Sequence, residues 1–223
     1  MATYLITGAN RGIGLSLSQQ LTARGDTVIG VCRQASPALV ATGAQVIDGV
    51  DVADADAVAS LPARLGAQSI DGLVLNAGIF TNETLDQLDA GAFARMQRQF
   101  EVNTLGPLRV AAALRGRLAK GAKVGIITSR MGSVADNGSG AYYGYRASKA
   151  AVNAVGRSLA MDLAPRGIAV VLLHPGRVAT EMLGGQGDIG PDDAATQLIA
   201  RLDALTLADT GSFWHANGTP LPW

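Results

Sequence analysis

Short runs of apolar, β-branched residues recur along the chain and are separated by stretches of helical periodicity. Apolar and polar residues barely alternate within these runs, so we expect strands that helices cover on both faces. Strands alternating with helices predict an α/β fold built on a parallel sheet. The predicted strands are Thr3–Thr7, Thr27–Cys32, Ala44–Asp48, Gly72–Asn76, Lys123–Thr128 and Ile168–His174.

Helix signals fall between these strands. Ile13, Leu17 and Leu21 form one apolar helix face, and Gly25 follows as a C-terminal cap. A later helix is predicted over Asp54–Gly66, with the aspartate as its N-terminal cap.

Prolines mark two further helices. A long helical pattern over Asp86–Leu118 is interrupted by Pro107, which lacks the N–H that would bond the carbonyl of Asn103, four residues earlier. That carbonyl is therefore expected to be free to bind a water, with a simple kink as the alternative. Another helix, beginning near Tyr145, is predicted to end at the Ala164–Pro165 step, because proline disfavours helical geometry in the residue before it.

Composition limits the class of protein. Lys plus Arg and Asp plus Glu both number 18, so we expect neither nucleic acid nor a membrane as a partner. Charged residues make up only 16% and apolar residues 48%, which favours burial of surface in a homo-oligomer. With one cysteine and two histidines, a disulfide or a metal centre is not expected.

The arrangement of the chain predicts one cytoplasmic domain over residues 1–223. No stretch has the composition of a linker between domains. The N-terminus enters the first predicted strand directly, and no uncharged apolar stretch approaches the roughly 18 residues of a membrane span.

A glycine-rich turn follows the first strand and precedes the first helix. Its sequence, Thr7–Gly14, has the spacing Gly-x-x-x-Gly-x-Gly rather than the commoner Gly-x-Gly-x-x-Gly. Glycines in this place let the backbone approach a pyrophosphate at the positive end of the helix. The turn predicts a dinucleotide site, and a tight connection without a ligand is the alternative.

The end of the second strand bears on the choice of dinucleotide. NAD-binding proteins usually place Asp or Glu there, whereas this strand ends Val31-Cys32-Arg33. Arg33 and Arg11 could flank the 2′-phosphate of NADP through bidentate hydrogen bonds. We expect NADP(H) to be preferred and NAD(H) to be possible, with a merely solvated Arg33 as the alternative.

Other polar and small residues follow strands and so reach the same edge of the sheet. Asp51, followed by Val52, could accept a hydrogen bond from adenine or close a turn. Asn76-Ala77-Gly78 ends the fourth strand, where small residues let a cofactor lie against the backbone. After the sixth strand, Thr180 could bind a nicotinamide carboxamide, while His174 is expected to pack rather than catalyse.

Tyr145 and Lys149 lie four residues apart on a predicted helix, so the phenol and the ammonium share one face. With four tyrosines and three lysines in the chain, chance gives about 0.05 such pairs. The ammonium is expected to lower the pKa of the phenol toward working pH. Ser129, at the end of the fifth strand, could hold a substrate oxygen or cap a turn, and its strand-end position favours it over Ser133.

These motifs, in this order, resemble the short-chain dehydrogenase/reductase family, nearest to its C-factor (C-signal) and Sniffer-like carbonyl reductase subgroup. The resemblance implies a single-domain Rossmann-type, doubly wound parallel sheet of about seven strands with helices on both faces. It rests on Thr7–Gly14, Asn76-Ala77-Gly78, Asn103, Ser129, Tyr142–Lys149, Pro175-Gly176, Thr180 and the tail Gly218–Trp223.

The resemblance also implies a catalytic tetrad. Tyr145 would donate the proton in reduction, and Lys149 would lower its pKa and bind the nicotinamide ribose. Ser129 would position the carbonyl, and Asn103 would hold a relay water. The implied cofactor-binding residues are Gly8, Asn10, Arg11, Gly12, Ile13, Gly14, Arg33, Asp51, Val52, Asn76, Ala77, Gly78, Tyr145, Lys149, Pro175, Gly176, Val178 and Thr180.

The chain departs from the family pattern in being short after the Pro-Gly motif. Glu181–Pro191 is a glycine-rich lid loop, part of which is expected to be mobile, where family members often carry a helical lid. We therefore expect an open substrate pocket and broad substrate specificity. Candidate pocket residues, for which core or surface packing is an equal alternative, are Met131, Tyr142, Met182, Leu183 and Trp214.

The leading interpretation is an NADPH-dependent oxidoreductase that reduces the carbonyl of a small ketone, aldehyde or quinone. One alternative is a nucleotide-bound signalling or regulatory protein of C-factor type that acts through a partner. Another is NAD-dependent alcohol oxidation, which the missing acid after Val31 disfavours. Small residues at Ala111–Ala113 and Ala150–Ala154 would permit helix packing in a homo-oligomer.

Overall fold

The computed structural model describes residues 1–223 and shows one parallel sheet between two helical layers. Its strands are β1 (Thr3–Thr7), β2 (Thr27–Val31), β3 (Gln45–Ile47), β4 (Ile70–Leu75), β5 (Leu118–Ile127), β6 (Ala169–His174) and β7 (Ser212–His215). They lie in the order β3-β2-β1-β4-β5-β6-β7, with every neighbouring pair parallel. The predicted Rossmann-type fold is confirmed.

Eight α-helices connect the strands. They are α1 (Gly12–Ala23), α2 (Pro37–Ala41), α3 (Ala55–Ala59), α4 (Leu61–Arg64), α5 (Ala90–Phe100), α6 (Gly106–Leu114), α7 (Tyr143–Leu163) and α8 (Pro191–Ala204). None of them is both long and apolar enough to cross a membrane.

The strand predictions were wrong at two boundaries. β4 begins at Ile70 and β5 at Leu118, a residue that the sequence pattern assigned to a helix. Both extensions depend on pairing between distant segments, because Ile70 pairs with Leu118 and the ladder then shifts register before Gly72 pairs with Lys123. β7 was not located by the apolar pattern, since it is four residues long and is defined by its pairing with β6.

Two helix predictions also need correction. The single helix over 54–66 is divided into α3 and α4 at Ser60, because Pro62 has no N–H to bond the carbonyl four residues back. Ala164 does not leave helical geometry (φ −55°, ψ −41°). The chain instead tightens into a 3₁₀ turn over Ala164–Arg166, which Gly167 closes at φ 72°.

Between α5 and α6 the chain forms a π-helical turn over Glu101–Leu105. The N–H of Gly106 bonds the carbonyl of Glu101, five residues back. This wider turn lies directly before Pro107, where the sequence predicted an interruption, and it carries Asn103.

The core is divided by the sheet into two apolar clusters. Along β1, Leu5 faces the cluster that holds Val110 of α6, whereas Ile6 faces the cluster that holds Leu17 of α1 and Leu198 of α8. This alternation follows from the two-residue period of a strand and places helices on both faces.

The lid loop is closed at its base by backbone hydrogen bonds. The N–H of Ala179 donates to the carbonyl of Ile189, and the N–H of Asp188 donates to the carbonyl of Arg177. Glu181–Leu183 forms a short 3₁₀ turn, and Pro191, the last residue of the predicted loop, is the first residue of α8.

Candidate active site

A crevice lies at the carboxyl edge of the sheet, where the connections from the neighbouring strands β1 and β4 run to opposite sides. The hydroxyl of Thr7 accepts hydrogen bonds from the N–H groups of Asn76 (3.0 Å) and Ala77 (3.1 Å). The Asn76 amide donates to the carbonyl of Thr7 at 3.0 Å. These bonds fix the end of β4 against the glycine turn.

The glycine turn needs its glycines for two different reasons. Gly8 and Gly12 have φ of 67° and 52°, in the left-handed region that side chains disfavour. Gly14 is helical, but a Cβ there would lie 2.2 Å from the carbonyl oxygen of Gly8. Gly14 therefore allows α1 to pack closely on the turn, and it does not line the cleft.

Three arginines line the crevice, and two of them, Arg33 and Arg98, lie near Asp51 at the end of the crevice formed by β2 and β3. Arg11 forms an ion pair with Glu181, and Arg98 donates to Asp51 at 2.6 Å. Arg33 is exposed and forms no ion pair. Its guanidinium is therefore free to bind an anion.

Asp51 combines the two roles considered from the sequence. Its Oδ1 accepts from the N–H of Ala53 at 2.9 Å, as in a turn, while the residue also lines the cleft. Burial acts to raise the pKa of Asp51, but the Ala53 amide and the Arg98 guanidinium outweigh it and hold the pKa below its ordinary value. The carboxylate is thus an ionised acceptor at this end of the cleft.

Tyr145 and Lys149 both lie on the first two turns of α7 and line the same cleft. The Lys149 Nζ donates to the carbonyl of Ile127 at 2.9 Å and lies 5.8 Å from the centre of the Tyr145 ring. Burial lowers the pKa of Lys149 to about 8. The predicted sharing of one helix face is present.

The predicted lowering of the phenol pKa by Lys149 is wrong. Burial raises the pKa of Tyr145 to about 12, and the Ser129 hydroxyl acts in the opposite direction. Desolvation disfavours the phenolate. Burial also lowers the pKa of Lys149, which reduces the fraction of Lys149 that is charged. Tyr145 is therefore a protonated phenol across the neutral range, as a proton donor must be.

The two serines considered for substrate binding have different surroundings. The Ser129 oxygen accepts from the N–H of Met131 at 3.1 Å, which is the capping role, and no backbone carbonyl accepts its own proton. The Ser133 hydroxyl donates to the carbonyl of Trp223 at 2.9 Å. Geometry therefore favours Ser129, which also lies near the Tyr145 phenol.

Asn103 is buried and ties the π-helical turn to the chain beyond β4. Its Oδ1 accepts from the N–H of Ile79 at 2.8 Å, and its Nδ2 donates to the carbonyl of Ile79 at 2.9 Å and to the Ser148 hydroxyl at 3.1 Å. Both ends of the amide are thus used structurally. Only the backbone of Asn103 is left for a relay water.

Most of the predicted residues line one cleft. Its volume, measured together with its open mouth, is about 1160 Å³. The predicted residues in its wall are Gly8, Asn10, Arg11, Gly12, Ile13, Arg33, Asp51, Val52, Asn76, Ala77, Gly78, Tyr145, Lys149, Pro175, Thr180 and Met182. Those outside its wall are Gly14, Asn103, Ser129, Met131, Tyr142, Gly176, Val178, Leu183 and Trp214.

Val178 and Trp214 lie outside the cleft wall because they pack elsewhere in the fold. Val178 is buried and pairs with Ile189 at the base of the lid loop. Trp214 lies on β7 and lines a different groove with Leu205 and Arg201. Trp214 is therefore not a substrate-pocket residue.

The cleft also contains residues that the sequence did not single out. They are Cys32, Val50, Ile79, Arg98, Val102, Ile127, Thr128 and Glu181. Val50 and Thr128 adjoin recognised strand ends, so the carboxyl-edge rule could have found them. Arg98 comes from the middle of α5, and no local signal identifies it.

Comparison with known proteins supports the geometry. The profile of the short chain dehydrogenase family matches residues 2–188. The chain belongs to this family. As a family member it is an oxidoreductase with a Rossmann-type sheet, as the resemblance implied.

Two relatives of this short-chain dehydrogenase are similar in sequence. The 1-hydroxy-2-glutathionyl-2-methyl-3-butene dehydrogenase of Rhodococcus sp. (strain AD45) is 44% identical over 229 residues, covering 100% of both chains. The C-signal protein of Myxococcus xanthus is 41% identical over 156 residues, covering 69% of this chain and 93% of that protein.

Two solved structures are similar in fold. The carbonyl reductase Sniffer of D. melanogaster has a TM-score of 0.91 and 29% identity, covering 100% of both chains. The NADPH-bound carbonyl reductase from chicken fatty liver has a TM-score of 0.88 and 29% identity, covering 100% of this chain and 99% of that one. The expected proximity to the C-signal and Sniffer-like subgroup is confirmed.

The residues of this family member fit a nicotinamide dinucleotide. The first turn of α1 carries no acidic residue and no side-chain cap, so its N–H groups are available to a pyrophosphate. A Cβ on Gly12 would lie 3.3 Å from the Thr180 side chain and would narrow the gap between the glycine turn and Thr180. Arg33 follows β2 and Lys149 contacts the end of β5, so the two side chains approach the cleft from opposite sides of β1 and β4.

Proposed function

We propose that this short-chain dehydrogenase is an NADPH-dependent carbonyl reductase acting on a small ketone, aldehyde or quinone. The observation that carries the proposal is a protonated Tyr145 phenol beside the Ser129 hydroxyl, in a cleft that Arg33 and Arg11 also line. The fold of the Sniffer carbonyl reductase supports the carbonyl chemistry.

In the proposed reaction the two hydroxyl groups act on the substrate oxygen. The Ser129 hydroxyl, which lies near the Tyr145 phenol, donates to the carbonyl oxygen and orients it. The chemistry supplied by a bound NADPH would be transfer of a hydride to the carbonyl carbon, with oxidation of the cofactor to NADP⁺. Tyr145 gives its proton to the developing alkoxide, so the carbonyl gains one hydride and one proton and becomes an alcohol.

Lys149 and Asn103 are proposed to support that proton transfer. The Lys149 ammonium stabilises the Tyr145 phenolate as the proton leaves, and its three donors also suit a ribose hydroxyl. A water at the Asn103 backbone is proposed to return a proton through Lys149 to Tyr145. The contacts of the Asn103 amide hold that backbone in place.

Arg33 and Arg11 are proposed to select NADPH over NADH. Arg33 lies in the cleft wall without an ion-pair partner, where the NAD-type pattern would place an acid. A 2′-phosphate there would gain charge-assisted hydrogen bonds, whereas a ribose hydroxyl would not. The NADPH bound in the chicken carbonyl reductase supports this choice.

The test is NADPH oxidation over a panel of carbonyl compounds with the Tyr145→Phe variant. Removing the phenolic proton is expected to lower kcat by about 10²-fold or more while NADPH still binds, because general acid catalysis supplies that much. Tyr143→Phe is the matched control, since Tyr143 is exposed on the same turn of α7. Unchanged turnover in Tyr145→Phe would rule out the mechanism.

A second candidate is the reverse reaction, oxidation of an alcohol. It is favoured by the end-to-end match to a dehydrogenase whose name gives a hydroxy compound with a glutathionyl group. The matching experiment compares NADP⁺ and NAD⁺ reduction with thioether-bearing alcohols. Cofactor binding without turnover in either direction, together with partner capture that survives Tyr145→Phe, would favour the signalling function suggested by the C-signal relative.

We also propose that the protein acts in the cytoplasm as a homo-oligomer. Ala112 on α6 and Ala154 on α7 are exposed and would allow close helix contact, whereas Ala111 is buried in its own core. Light scattering over a range of concentrations tests the assembly, and a monomer at every concentration would exclude it.

A further inference from the structure

Glu83 is a buried carboxylate that the proposed reaction does not use. It lies in the loop after β4 and is 0% exposed, the only Asp or Glu among the buried residues. Its Oε1 accepts hydrogen bonds from the Thr81 hydroxyl and from the Gln99 amide (3.2 Å). Its Oε2 accepts from the N–H of Gly144 at 3.2 Å. All three partners can donate, so both carboxylate oxygens have hydrogen-bond partners in the interior.

These contacts lie on the first turn of the helix that carries the phenol. Gly144 directly precedes Tyr145 in α7. The backbone carbonyl of Glu83 also accepts from the N–H of Tyr142, at 2.8 Å. Glu83 thus holds the chain on both sides of the start of α7.

The start of α7 needs such an anchor. Tyr142, the residue before the helix, provides no side-chain cap. Tyr142 and Ala141 have φ of 55° and 54°, and they are the only residues other than glycine with positive φ. Left-handed backbone at such residues persists only where surrounding contacts enforce it. The buried carboxylate and its helix N–H partner supply that contact.

Phe80 completes the support from the same loop. Its ring packs edge-on against Tyr145 with centres 4.9 Å apart and lies 5.7 Å from the ring of Tyr142. On the helix side, a Cβ at Gly144 would lie 2.4 Å from the Gln99 amide. The first turn of α7 is therefore enclosed by the Phe80–Glu83 loop and α5.

We propose that Glu83 is a positioning residue that anchors the first turn of α7 and so fixes the orientation of the Tyr145 phenol toward the substrate oxygen. The inference rests on the proposed function. It also has an electrostatic consequence. A carboxylate at a helix N-terminus opposes the positive potential of that terminus, which would otherwise favour a nearby phenolate.

The test compares Glu83→Gln, which keeps the shape and removes the charge, with Glu83→Asp, which keeps the charge and shortens the reach to Gly144. Both are expected to lower kcat by about tenfold or more with KM for NADPH within about twofold, because a displaced proton donor slows the chemical step and leaves cofactor contacts intact. Only Glu83→Gln is expected to move the Tyr145 limb of the kcat–pH profile to lower pH. Unchanged kcat in both variants would overturn the proposal.

Asp89→Asn is the matched control. Asp89 caps α5, which packs on α7, and its side chain hydrogen-bonds the N–H of Ala92 within α5 and not the first turn of α7. It is expected to keep kcat near that of the unaltered protein. A loss of kcat in Asp89→Asn as large as in Glu83→Gln would show that general loosening of the helices, not anchoring at Glu83, controls the rate.

A second readout separates this inference from the proposed function. The phenolate absorbance of Tyr145, taken as the difference from a matching Tyr145→Phe protein at alkaline pH, requires no turnover. Glu83→Gln is expected to increase the ionised fraction, and an unchanged fraction would overturn the electrostatic role of Glu83. If the unaltered protein reduces no carbonyl compound, the proposed function fails while this titration still tests Glu83.

Discussion

At the scale of single residues, environment rather than residue type sets the chemistry of the cleft. The spacing of Tyr145 and Lys149 indicated one helix face, and both side chains do lie on it. The direction of the phenol pKa could not be predicted, because it depends on how completely other elements exclude water from the ring. A four-residue spacing carries no information about that burial.

The environment of His174 predicts how the stability of the protein depends on pH. The pKa of His174 is lowered from 6.5 to about 3, first by burial and then by the charges of His215, Arg130 and Lys149. Between pH 6.5 and about 3, therefore, His174 binds a proton in the unfolded chain but not in the folded chain. Stability is therefore expected to fall by about 1.4 kcal/mol per pH unit as the pH drops from 6.5 toward 3.

Denaturant unfolding between about pH 6.5 and 4.5, above the range where most carboxylates titrate, measures this effect. His174→Gln should flatten the slope, and His215→Gln, at a more exposed site, should flatten it less. If the slope is the same in His174→Gln as in the unaltered protein, His174 is not its source.

At the scale of elements, connections between α5, the π-helical turn and β4 hold the site together. Pro107 signalled an interruption, but the π-helical form of the turn depends on packing against the rest of the protein. Through this turn, Asn103 reaches Ile79, a residue of another element that sequence reasoning did not connect with it.

Asn103→Ala is therefore expected to weaken the fold as well as the reaction. Ile79 would lose the partners of both its N–H and its carbonyl group, which should lower the free energy of unfolding by about 1–3 kcal/mol. Chemical denaturation measures this change. Asn82→Ala, an exposed substitution in the following loop, should change it by no more than about 0.5 kcal/mol. Equal effects of the two substitutions would contradict the role of Asn103.

At the scale of the whole molecule, the strand order decides what meets in the cleft. The central position of β1 between β2 and β4 places the glycine turn, Arg33 and Asn76 around one crevice. Residues from 8 to 182 meet there, so cofactor binding should stabilise the entire fold.

NADPH is expected to raise the Tm more than NADH at equal concentration. At about 100 times Kd a ligand adds about 2.7 kcal/mol, or roughly 5–10 °C for a domain of this size. Arg33→Ser should remove most of the difference between the cofactors, whereas Arg95→Ser, exposed on α5 and outside the cleft, should not. A thermal-shift titration checks this, and an equal response to both cofactors in the unaltered protein would exclude a 2′-phosphate site.

The sequence alone determined the features that depend on local physics. Apolar runs located six of the seven strands, and the glycine cap located the end of α1, because burial and capping act over a few residues. It also located the glycine turn and the Tyr145–Lys149 pair. Tertiary structure decided the rest: the extension of β5, the position of β7, the arrival of Arg98, the burial of Glu83 and the partial burial of Tyr145. Each of these depends on contacts between segments far apart in the chain, which no local pattern of residues records.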